Sequence, residues 1–370
     1  MTVRRQQSGE QTSEGQAVGE SPAGSSGAVL DKAARENFPV APFFLPPAMR
    51  QGLMAVYGFA RLVDDAGDGD LPDPRGTAEL LGVAYPEPGA EAEPGSEADT
   101  AFRLALLDAL DADVDAAFEA VLGTPGAVGP RHPLIAALVP VIDRHGLTVE
   151  PFRALIEANR VDQHVARYET FDDLMAYCEL SANPVGRLVL QLAGLATPER
   201  LRWSDAVCSG LQVVEHLQDV AEDRARGRVY LPARDMKRFG VTEQDLDAAR
   251  AGTALRGLIM YEAERTRALL DEGTPLLASV SGRLRLLLAG FSAGGYAALG
   301  AVEAAGYDVL AGSPKAGKGR LLREVAGALL PATLLPAKQP GRRKDGQRKD
   351  GQRSAGKTDA GQSNDVKGTR

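Results

Sequence analysis

The stretch 210–232, GLQVVEHLQDVAEDRARGRVYLP, most constrains what this chain can fold into. Its polar residues Gln212, Glu215, Asp219 and Asp223 are spaced three, four and four apart, so a helix would place all four on one face. Largely apolar residues separate them, which indicates that this C-terminal acidic motif faces a cavity and not bulk water. Carboxylates held close together in a partly dry site repel each other and need a cation. Because the ligands are oxygen atoms, the motif predicts Mg²⁺ shared with substrate phosphates.

A second acidic cluster lies near the start of the chain, in the stretch 57–70, YGFARLVDDAGDGD. Asp64 and Asp68 of this N-terminal acidic motif are again four apart, with Asp65 beside them and Arg61 one turn earlier. Two such faces meeting across a cavity would form a trough for several Mg²⁺ ions and one diphosphate. The alternative is that each motif is a solvated helix face. That explanation suits one such motif better than two that both lie beside apolar helices and basic residues.

Basic and aromatic residues follow the C-terminal acidic motif and are candidates for holding a departing diphosphate. Arg228 and Tyr230 come soon after it, together with Arg224 and Arg226. Arginine binds phosphate oxygens through strong, charge-assisted hydrogen bonds. The alternative explanation is an ordinary exposed loop.

The pattern of the whole chain favours helices. Helical periodicity covers most of residues 30–336, and no alternating run typical of a strand occurs. Helices are expected at residues 48–63, 101–122, 134–145, 149–159, 171–181, 183–195, 203–224, 255–270, 284–305 and 319–330. The sequence therefore predicts an all-α chain with one domain at residues 28–336. Within it, residues 72–99, with repeated Pro, Gly and Glu, are expected to form a loop insertion.

The two ends of the chain differ from the rest in composition. Residues 1–27 are rich in Gly, Ser, Glu and Gln, and residues 337–370 contain almost no apolar residue, so both are predicted to be disordered tails. The overall charge of −8 combines a basic tail with a body, residues 1–337, that carries −14, which argues against binding of nucleic acid. The basic tail suits weak attraction to anionic lipid or, as the favoured alternative, a solubilising end.

Cysteine content and hydropathy bear on location. Cys178 and Cys208 suggest neither a disulfide framework nor a cysteine metal site, which is typical of a reducing cytoplasm. The longest uncharged run, residues 286–302, is 17 residues long and so falls short of the roughly 20 that a membrane span needs. A buried core helix is expected there.

Two motifs suggest other enzyme classes, but their context argues against both. Residues 290–294, GFSAG, match a nucleophile elbow, which needs a preceding strand and a His after the Ser, whereas all four His precede Ser292. Residues 312–318, GSPKAGK, approach a phosphate-binding loop, but Gly319 stands where Ser or Thr should ligate Mg²⁺.

Five segments together resemble the squalene/phytoene synthase family, in its branch of hopanoid-type squalene synthases. They are ENFPVA (36–41), AVYGFARLVDDAGD (55–68), YCELSANPVGRLVL (177–190), GLQVVEHLQDVAEDRARGRVYLP (210–232) and EAAGYDVL (303–310). The resemblance implies a single-domain isoprenoid synthase fold around a central apolar cavity, with Mg²⁺ as cofactor. The catalytic residues that it implies are Asp64, Asp68, Asp219, Asp223 and Arg61. The substrate-binding residues that it implies are Tyr57, Arg61, Asn183, Gln212, Glu215, Arg228 and Tyr230. Asn183, with Ser181, alternatively caps the helix that follows.

The chemistry that the resemblance implies joins two farnesyl diphosphates through presqualene diphosphate towards squalene. In this branch it points to the second half, in which presqualene diphosphate ionises, rearranges and is captured by water to give hydroxysqualene and diphosphate. Two alternatives stay open. One is a condensing enzyme that makes presqualene diphosphate, squalene or phytoene, and the other is a non-catalytic helical scaffold with acidic patches. The resemblance also implies a cytoplasmic enzyme that is peripheral to the inner face of the membrane and hands its product to other hopanoid-pathway enzymes.

Glu215 is where this chain departs from the proteins that it resembles, which usually carry Asn three residues after the Gln of this helix. Glu adds a negative charge one turn before Asp219. Three roles are open: Glu215 ligates Mg²⁺, it is protonated because its neighbours raise its pKa, or it turns away to pair with an arginine. The first is favoured, so Glu215 joins Asp64, Asp68, Asp219 and Asp223 as an expected metal ligand.

Overall fold

The computed structural model of the chain describes residues 41–86 and 95–329, which belong to one compact unit that ends at Leu330. Across these residues the chain forms helices joined by loops, with no strand and one isolated β-bridge, between Arg167 and Val229. The helices are α1 (Pro47–Asp68), α2 (Pro74–Leu81), α3 (Glu97–Leu122), α4 (Pro133–Ala136), α5 (Val139–His145), α6 (Glu150–Val161), α7 (Phe171–Ser181), α8 (Asn183–Leu192), α9 (Pro198–Gln218), α10 (Val220–Ala225), α11 (Ala233–Phe239), α12 (Glu243–Leu246), α13 (Thr253–Glu272), α14 (Pro275–Ser279), α15 (Gly282–Ala304) and α16 (Lys318–Leu329). The all-α prediction is confirmed. The tails predicted at residues 1–27 and 337–370 lie outside the described residues.

Two apolar clusters form the core. The first joins α1, α3, α5, α6 and α8 with the start of α15, and Phe59 of α1 packs edge-on against Phe152 of α6 at 5.1 Å between ring centres. The second joins α7, α9 and α13 with the end of α15, around residues such as Leu258 and Ile259, both fully buried. Burial on this scale is the main stabilising term of the fold. The C-terminal half of α1 belongs to the first cluster, whereas most buried apolar residues of α9 and of the loop 229–231 belong to the second.

The predicted loop at residues 72–99 is wrong in part, because it contains helix α2 and the first residues of α3. Asp73 caps α2 by accepting a hydrogen bond from the backbone N–H of Gly76 at 2.8 Å, and Pro74 fits the first helical position. Gly82 ends the helix with a positive φ of 74°. The start of α3 is set by Ser96, whose hydroxyl accepts from Asp99 N–H at 3.2 Å. Residues 87–94 lie outside the described residues.

Two predicted helices are each divided. The helix expected at residues 134–145 is two short helices, α4 and α5, because Pro140 has no N–H to bond the preceding turn. The helix expected at residues 203–224 starts earlier, at Pro198, and is interrupted at Asp219, whose φ of −104° and ψ of 18° leave the helical region. Aspartate side chains compete with the backbone inside helices and favour their ends.

Helix α15 contains the GFSAG motif, so residues 290–294 are helical and Ser292 is buried. This confirms that the motif is not a nucleophile elbow, which requires a strand-to-helix turn. The same helix is long and apolar enough to cross a membrane, but 61% of its most apolar window is buried within the structure, as in the core helix of a soluble protein.

Candidate active site

Helix α1 presents the N-terminal acidic motif next to its own arginine. Nη1 of Arg61 donates to Oδ2 of Asp64 at 3.1 Å, and Nη2 lies 2.6 Å from Oδ1 of the buried Asp65. Burial lowers the pKa of Arg61, but Asp65 and Asp64 raise it by more, and Tyr57 adds to this one turn earlier. The structure therefore brings Tyr57, Arg61 and Asp64 together, as the spacing predicts, and keeps the guanidinium charged.

Asp64 and Asp68 interact as like charges on this face. Burial first, and then Asp68, raise the pKa of Asp64 to about 6. Half of the Asp64 side chain is nonetheless exposed, so solvent screening weakens this effect. Two like charges on one helix face repel each other, and a bound cation would relieve this repulsion.

Arg228 connects the loop after the C-terminal acidic motif to the N-terminal acidic motif. Its Nη2 donates to Oδ1 of Asp68 at 3.1 Å, and both side chains are largely buried. Burial lowers the pKa of Arg228, whereas Tyr230, Asp162 and Asp68 raise it by more. Arg228 is therefore a fixed positive charge beside the N-terminal acidic motif, as expected for a group that holds a departing diphosphate.

The loop that carries Arg228 is held against the segment after α6. Val229 N–H donates to Ala166 O at 3.0 Å, and Nη1 of Arg167 donates to Gly227 O at 2.6 Å. Arg167 also forms a two-bond pair with Glu243, at 2.6 and 2.9 Å. These hydrogen bonds hold the loop where Arg228 can reach Asp68 of α1.

Arg224 belongs to the same surface network and not to the trough. It bonds Glu243 at 2.5 Å and Asp247 at 2.8 and 3.1 Å. Of the three arginines around the end of α10, the structure thus brings Arg228 to the acidic residues, ties Arg224 to α12 and leaves Arg226 exposed.

The C-terminal acidic motif spans the interruption between α9 and α10. Asp223 N–H bonds Asp219 O at 2.8 Å, so the four-residue spacing survives the break. Oδ2 of Asp223 is buried without a hydrogen-bond partner among the described residues and lies 3.7 Å from Nδ1 of His216. Gln212 approaches Nε2 of His216 at 3.1 Å, whereas Glu215 is exposed.

Four rings pack together beside Asp223 and Arg228. His216 stacks on Tyr230 with 3.6 Å between ring centres and an angle of 11°. Tyr168 and Tyr177 pack against Tyr230 at 5.7 and 5.9 Å. Burial raises the pKa of all three tyrosines, which stay neutral hydroxyls. His216, Asp223, Arg228 and Tyr230 line one small cleft.

Asn183 lies away from this cleft, inside the helix packing. It is 3% exposed, and its Oδ1 accepts a hydrogen bond from Ser209 of α9 at 3.0 Å. The expectation that Asn183 or Ser181 caps α8 is wrong, because Ala182 is the N-cap residue and no side chain bonds there. Ser181 instead donates to Tyr177 O. The substrate-binding role of Asn183 stays a prediction.

The acidic residues fit Mg²⁺ when a diphosphate supplies part of the coordination. Within residues 41–86 and 95–329, no group of three or more His, Cys, Asp or Glu could hold a metal ion by itself. Mg²⁺ usually keeps several waters and binds through one or two carboxylates plus substrate phosphates. Asp64 with Asp68, and the buried free oxygen of Asp223, provide such partial sites with hard oxygen ligands. The apolar chamber stays a prediction.

Comparison with known proteins identifies the family. Residues 31–320 match the profile of the squalene/phytoene synthase family. The chain belongs to this family. A hydroxysqualene synthase of Zymomonas mobilis subsp. mobilis is 35% identical over 248 residues, which cover 66% of this chain and 71% of that protein. A phytoene synthase of Arthrospira platensis is 29% identical over 249 residues, which cover 63% and 69%.

Solved structures of squalene/phytoene synthase relatives share the all-α isoprenoid synthase fold. The squalene synthase HpnC from Alicyclobacillus acidocaldarius superposes with a TM-score of 0.61 at 36% identity, covering 77% of this chain and 95% of that one. A dehydrosqualene synthase solved with a ligand gives a TM-score of 0.64 at 23% identity, covering 83% and 96%, which shows the fold alone. The predicted family and fold are both confirmed.

Sequence patterns missed His216 and gave Asp162 no specific role. Asp162 follows α6, in the polar segment 159–170, NRVDQHVARYET, which the resemblance places at the cavity mouth. His216 points between Gln212 and Asp223, although its sequence spacing gives no metal-ligand pattern. The one signal for His216 was its position within the C-terminal acidic motif, four residues after Gln212, whereas the contact of Asp162 with Tyr177 is set by tertiary packing.

Proposed function

We propose that this enzyme ionises presqualene diphosphate and lets water capture the rearranged cation, giving hydroxysqualene and diphosphate. The observation that carries the proposal is the hydrogen bond from Arg228 to Asp68. It joins the segment after the C-terminal acidic motif to the N-terminal acidic motif across 160 residues of sequence. The hydroxysqualene synthase of Zymomonas mobilis supports the choice of reaction within the family.

The residues of the site have distinct parts in this reaction. Arg61 and Arg228 donate charge-assisted hydrogen bonds to the diphosphate as its bond to carbon breaks. Asp64, Asp68, Asp219 and Asp223, with Glu215 as a further candidate, would hold Mg²⁺. When bound, Mg²⁺ neutralises charge on the departing diphosphate. Tyr57 and Gln212 flank these groups on α1 and α9 and orient the substrate.

The aromatic residues suit the second stage of this reaction, in which water captures the cation. Tyr230 lines the cleft beside Arg228 and Asp223, and it is buried with Tyr168 and Tyr177 behind it. Rings that exclude bulk water leave the cation to a positioned water molecule.

The proposal is tested by product analysis. Purified protein with Mg²⁺ is incubated separately with farnesyl diphosphate and with presqualene diphosphate, and the products are identified by mass spectrometry. Hydroxysqualene from presqualene diphosphate, with one equivalent of diphosphate, is the expected result. No turnover of either substrate, and no Mg²⁺-dependent ligand binding, would favour a helical scaffold.

Head-to-head condensation is the second candidate, because phytoene synthases are also among the relatives. It predicts consumption of farnesyl diphosphate to presqualene diphosphate or squalene, or of a longer diphosphate to phytoene. The same assay distinguishes the two, since a condensing enzyme consumes two diphosphates for each product.

The cellular setting that we propose is the cytoplasm, peripheral to the inner face of the membrane. The exposed side of α16 carries Lys318 and Arg323 around Leu322, which is 70% exposed. Cationic residues near a bilayer surface attract anionic lipid. An apolar product would pass from there to the bilayer or to other hopanoid-pathway enzymes. Sedimentation with anionic and with neutral vesicles tests this contact.

A further inference from the structure

The carboxylate of Asp162 lies where the chain leaves α6 and turns towards α7. Its Oδ2 accepts a hydrogen bond of 2.8 Å from the hydroxyl of Tyr177, which is 7% exposed. Its Oδ1 is buried and has no hydrogen-bond partner among the described residues. Neither acidic motif includes this residue.

Asp162 lies within electrostatic reach of Arg228 and of Asp68 and Asp64 in the N-terminal acidic motif. Burial raises its pKa to about 6; the bond from Tyr177 and the charge of Arg228 oppose this, while Asp68 and Asp64 add to it. Asp162 also acts on Tyr230, whose hydroxyl interacts with that of Tyr177. The contacts therefore run from the cleft through Tyr230 and Tyr177 to Asp162.

A purely structural role does not explain a carboxylate at this position. One neutral acceptor would satisfy the Tyr177 hydroxyl. A carboxylate beside Asp64 and Asp68 adds repulsion, and it leaves a second oxygen buried without a donor, which is costly. What a charge adds is a stronger hydrogen bond that fixes the phenol as a donor towards Asp162.

We propose that Asp162 is a positioning residue, which holds the Tyr177 hydroxyl and through it orients Tyr230 at the edge of the cleft. The Tyr177 hydroxyl is directed towards Asp162, and the Tyr230 hydroxyl interacts with that of Tyr177, so the Tyr230 ring keeps one position beside the cation that forms when the diphosphate leaves. The identity of that cation rests on the proposed function. The orientation of the two tyrosines does not.

A double-mutant cycle tests this coupling. Asp162→Asn preserves shape and removes the charge, and Tyr177→Phe removes the donor. Each single variant is expected to lose about tenfold to a hundredfold in kcat with little change in KM. The double variant should be no slower than the slower single variant, because one interaction is lost in all three. Asp143→Asn, on the exposed side of α5, is the matched control and should match the wild type.

Two kinetic results would overturn the proposal. Losses that multiply in the double variant would show that the residues act independently. A higher Mg²⁺ concentration for half-maximal activity in Asp162→Asn, but not in Tyr177→Phe, would make Asp162 part of the metal site instead.

A measurement without substrate separates this proposal from the proposed function. With ¹³Cζ-labelled tyrosine, the NMR resonance of Tyr177 should shift in Asp162→Asn and stay in place in Asp143→Asn. The Tyr230 resonance should shift in Tyr177→Phe. This result tests the contact between the two tyrosines even if Asp162→Asn does not fold. Unmoved resonances in both variants would contradict the positioning role, whether or not presqualene diphosphate is the substrate.

Discussion

Asp64 belongs to the N-terminal acidic motif and Asp219 to the C-terminal acidic motif. Asp64→Asn and Asp219→Asn should each lower kcat by about 10² to 10³ or more, because stabilising charge on a leaving group is usually the largest catalytic contribution. Rates are measured by diphosphate release at saturating Mg²⁺, with Asp143→Asn as the control. A near-normal rate in either variant would contradict the trough between the motifs.

Glu215 is exposed on α9, and its place in the metal site is a prediction. Glu215→Asn should be tolerated, since it restores the group that the family usually carries. Glu215→Leu should raise the Mg²⁺ concentration needed for half-maximal activity, and Asp219→Asn should be more damaging than either. Titration of Mg²⁺ against activity measures this. An unchanged requirement in Glu215→Leu removes Glu215 from the site, and an inactive Glu215→Asn enzyme indicates a specific acid–base role.

Sequence spacing predicts the contacts of site residues whose partners lie within the same helix. Arg61 bonds Asp64 within one helix, so the pattern alone places the two together. The partner of Asp68 is Arg228, and the partner of Asp162 is Tyr177 of another helix. Such contacts depend on how helices pack, which a spacing rule does not contain.

Helix α13 carries a buried carboxyl group that should make stability depend on pH. Glu262 is 1% exposed, and Nη1 of Arg265 lies 3.5 Å away, although that arginine also bonds Asp235 of α11 at 2.8 Å. Burial raises the pKa of Glu262 from 4.5 to about 7, against the opposing charge of Arg265. The unfolded chain therefore loses this proton first as pH rises.

Stability from this group is accordingly present below pH 4.5 and lost as pH rises to about 7, at a cost of about 3 kcal/mol at most. Glu262→Gln should melt at a higher temperature than the wild type at pH 8 and at the same temperature near pH 4.5. Glu264→Gln, an exposed position on the same helix, is the control for thermal melting at both pH values. A Gln variant that is less stable at pH 8 would show that the ion pair with Arg265 outweighs burial.

Helices themselves were predictable where caps and periodicity agree. Residues 171–181 were predicted as a helix and are α7, which Thr170 and Asp173 begin with a reciprocal capping box. The boundaries failed where a single residue outweighs the periodicity, as Pro140 does at the start of α5 and Asp219 does between α9 and α10. Helix α2 was missed because a Pro- and Gly-rich composition conceals a short, well-capped segment.

At the scale of the whole molecule, the two tails are expected to be dispensable for catalysis. Removing residues 1–27 and 340–370 should leave the melting temperature and activity in solution unchanged, because these segments have almost no apolar surface to bury. Each truncated protein is compared with the full chain by thermal melting and diphosphate release. A large fall in melting temperature would show that a tail packs on the domain.

The central claim is that the carbon–oxygen bond of an isoprenoid diphosphate ionises and that water then attacks carbon. Incubation of the full chain with presqualene diphosphate and Mg²⁺ in H₂¹⁸O, followed by mass spectrometry of both products, tests it most directly. The predicted result is one ¹⁸O atom in hydroxysqualene and none in the released diphosphate. An alcohol that keeps the substrate's oxygen, with ¹⁸O in the phosphate, would show cleavage at phosphorus and contradict the account.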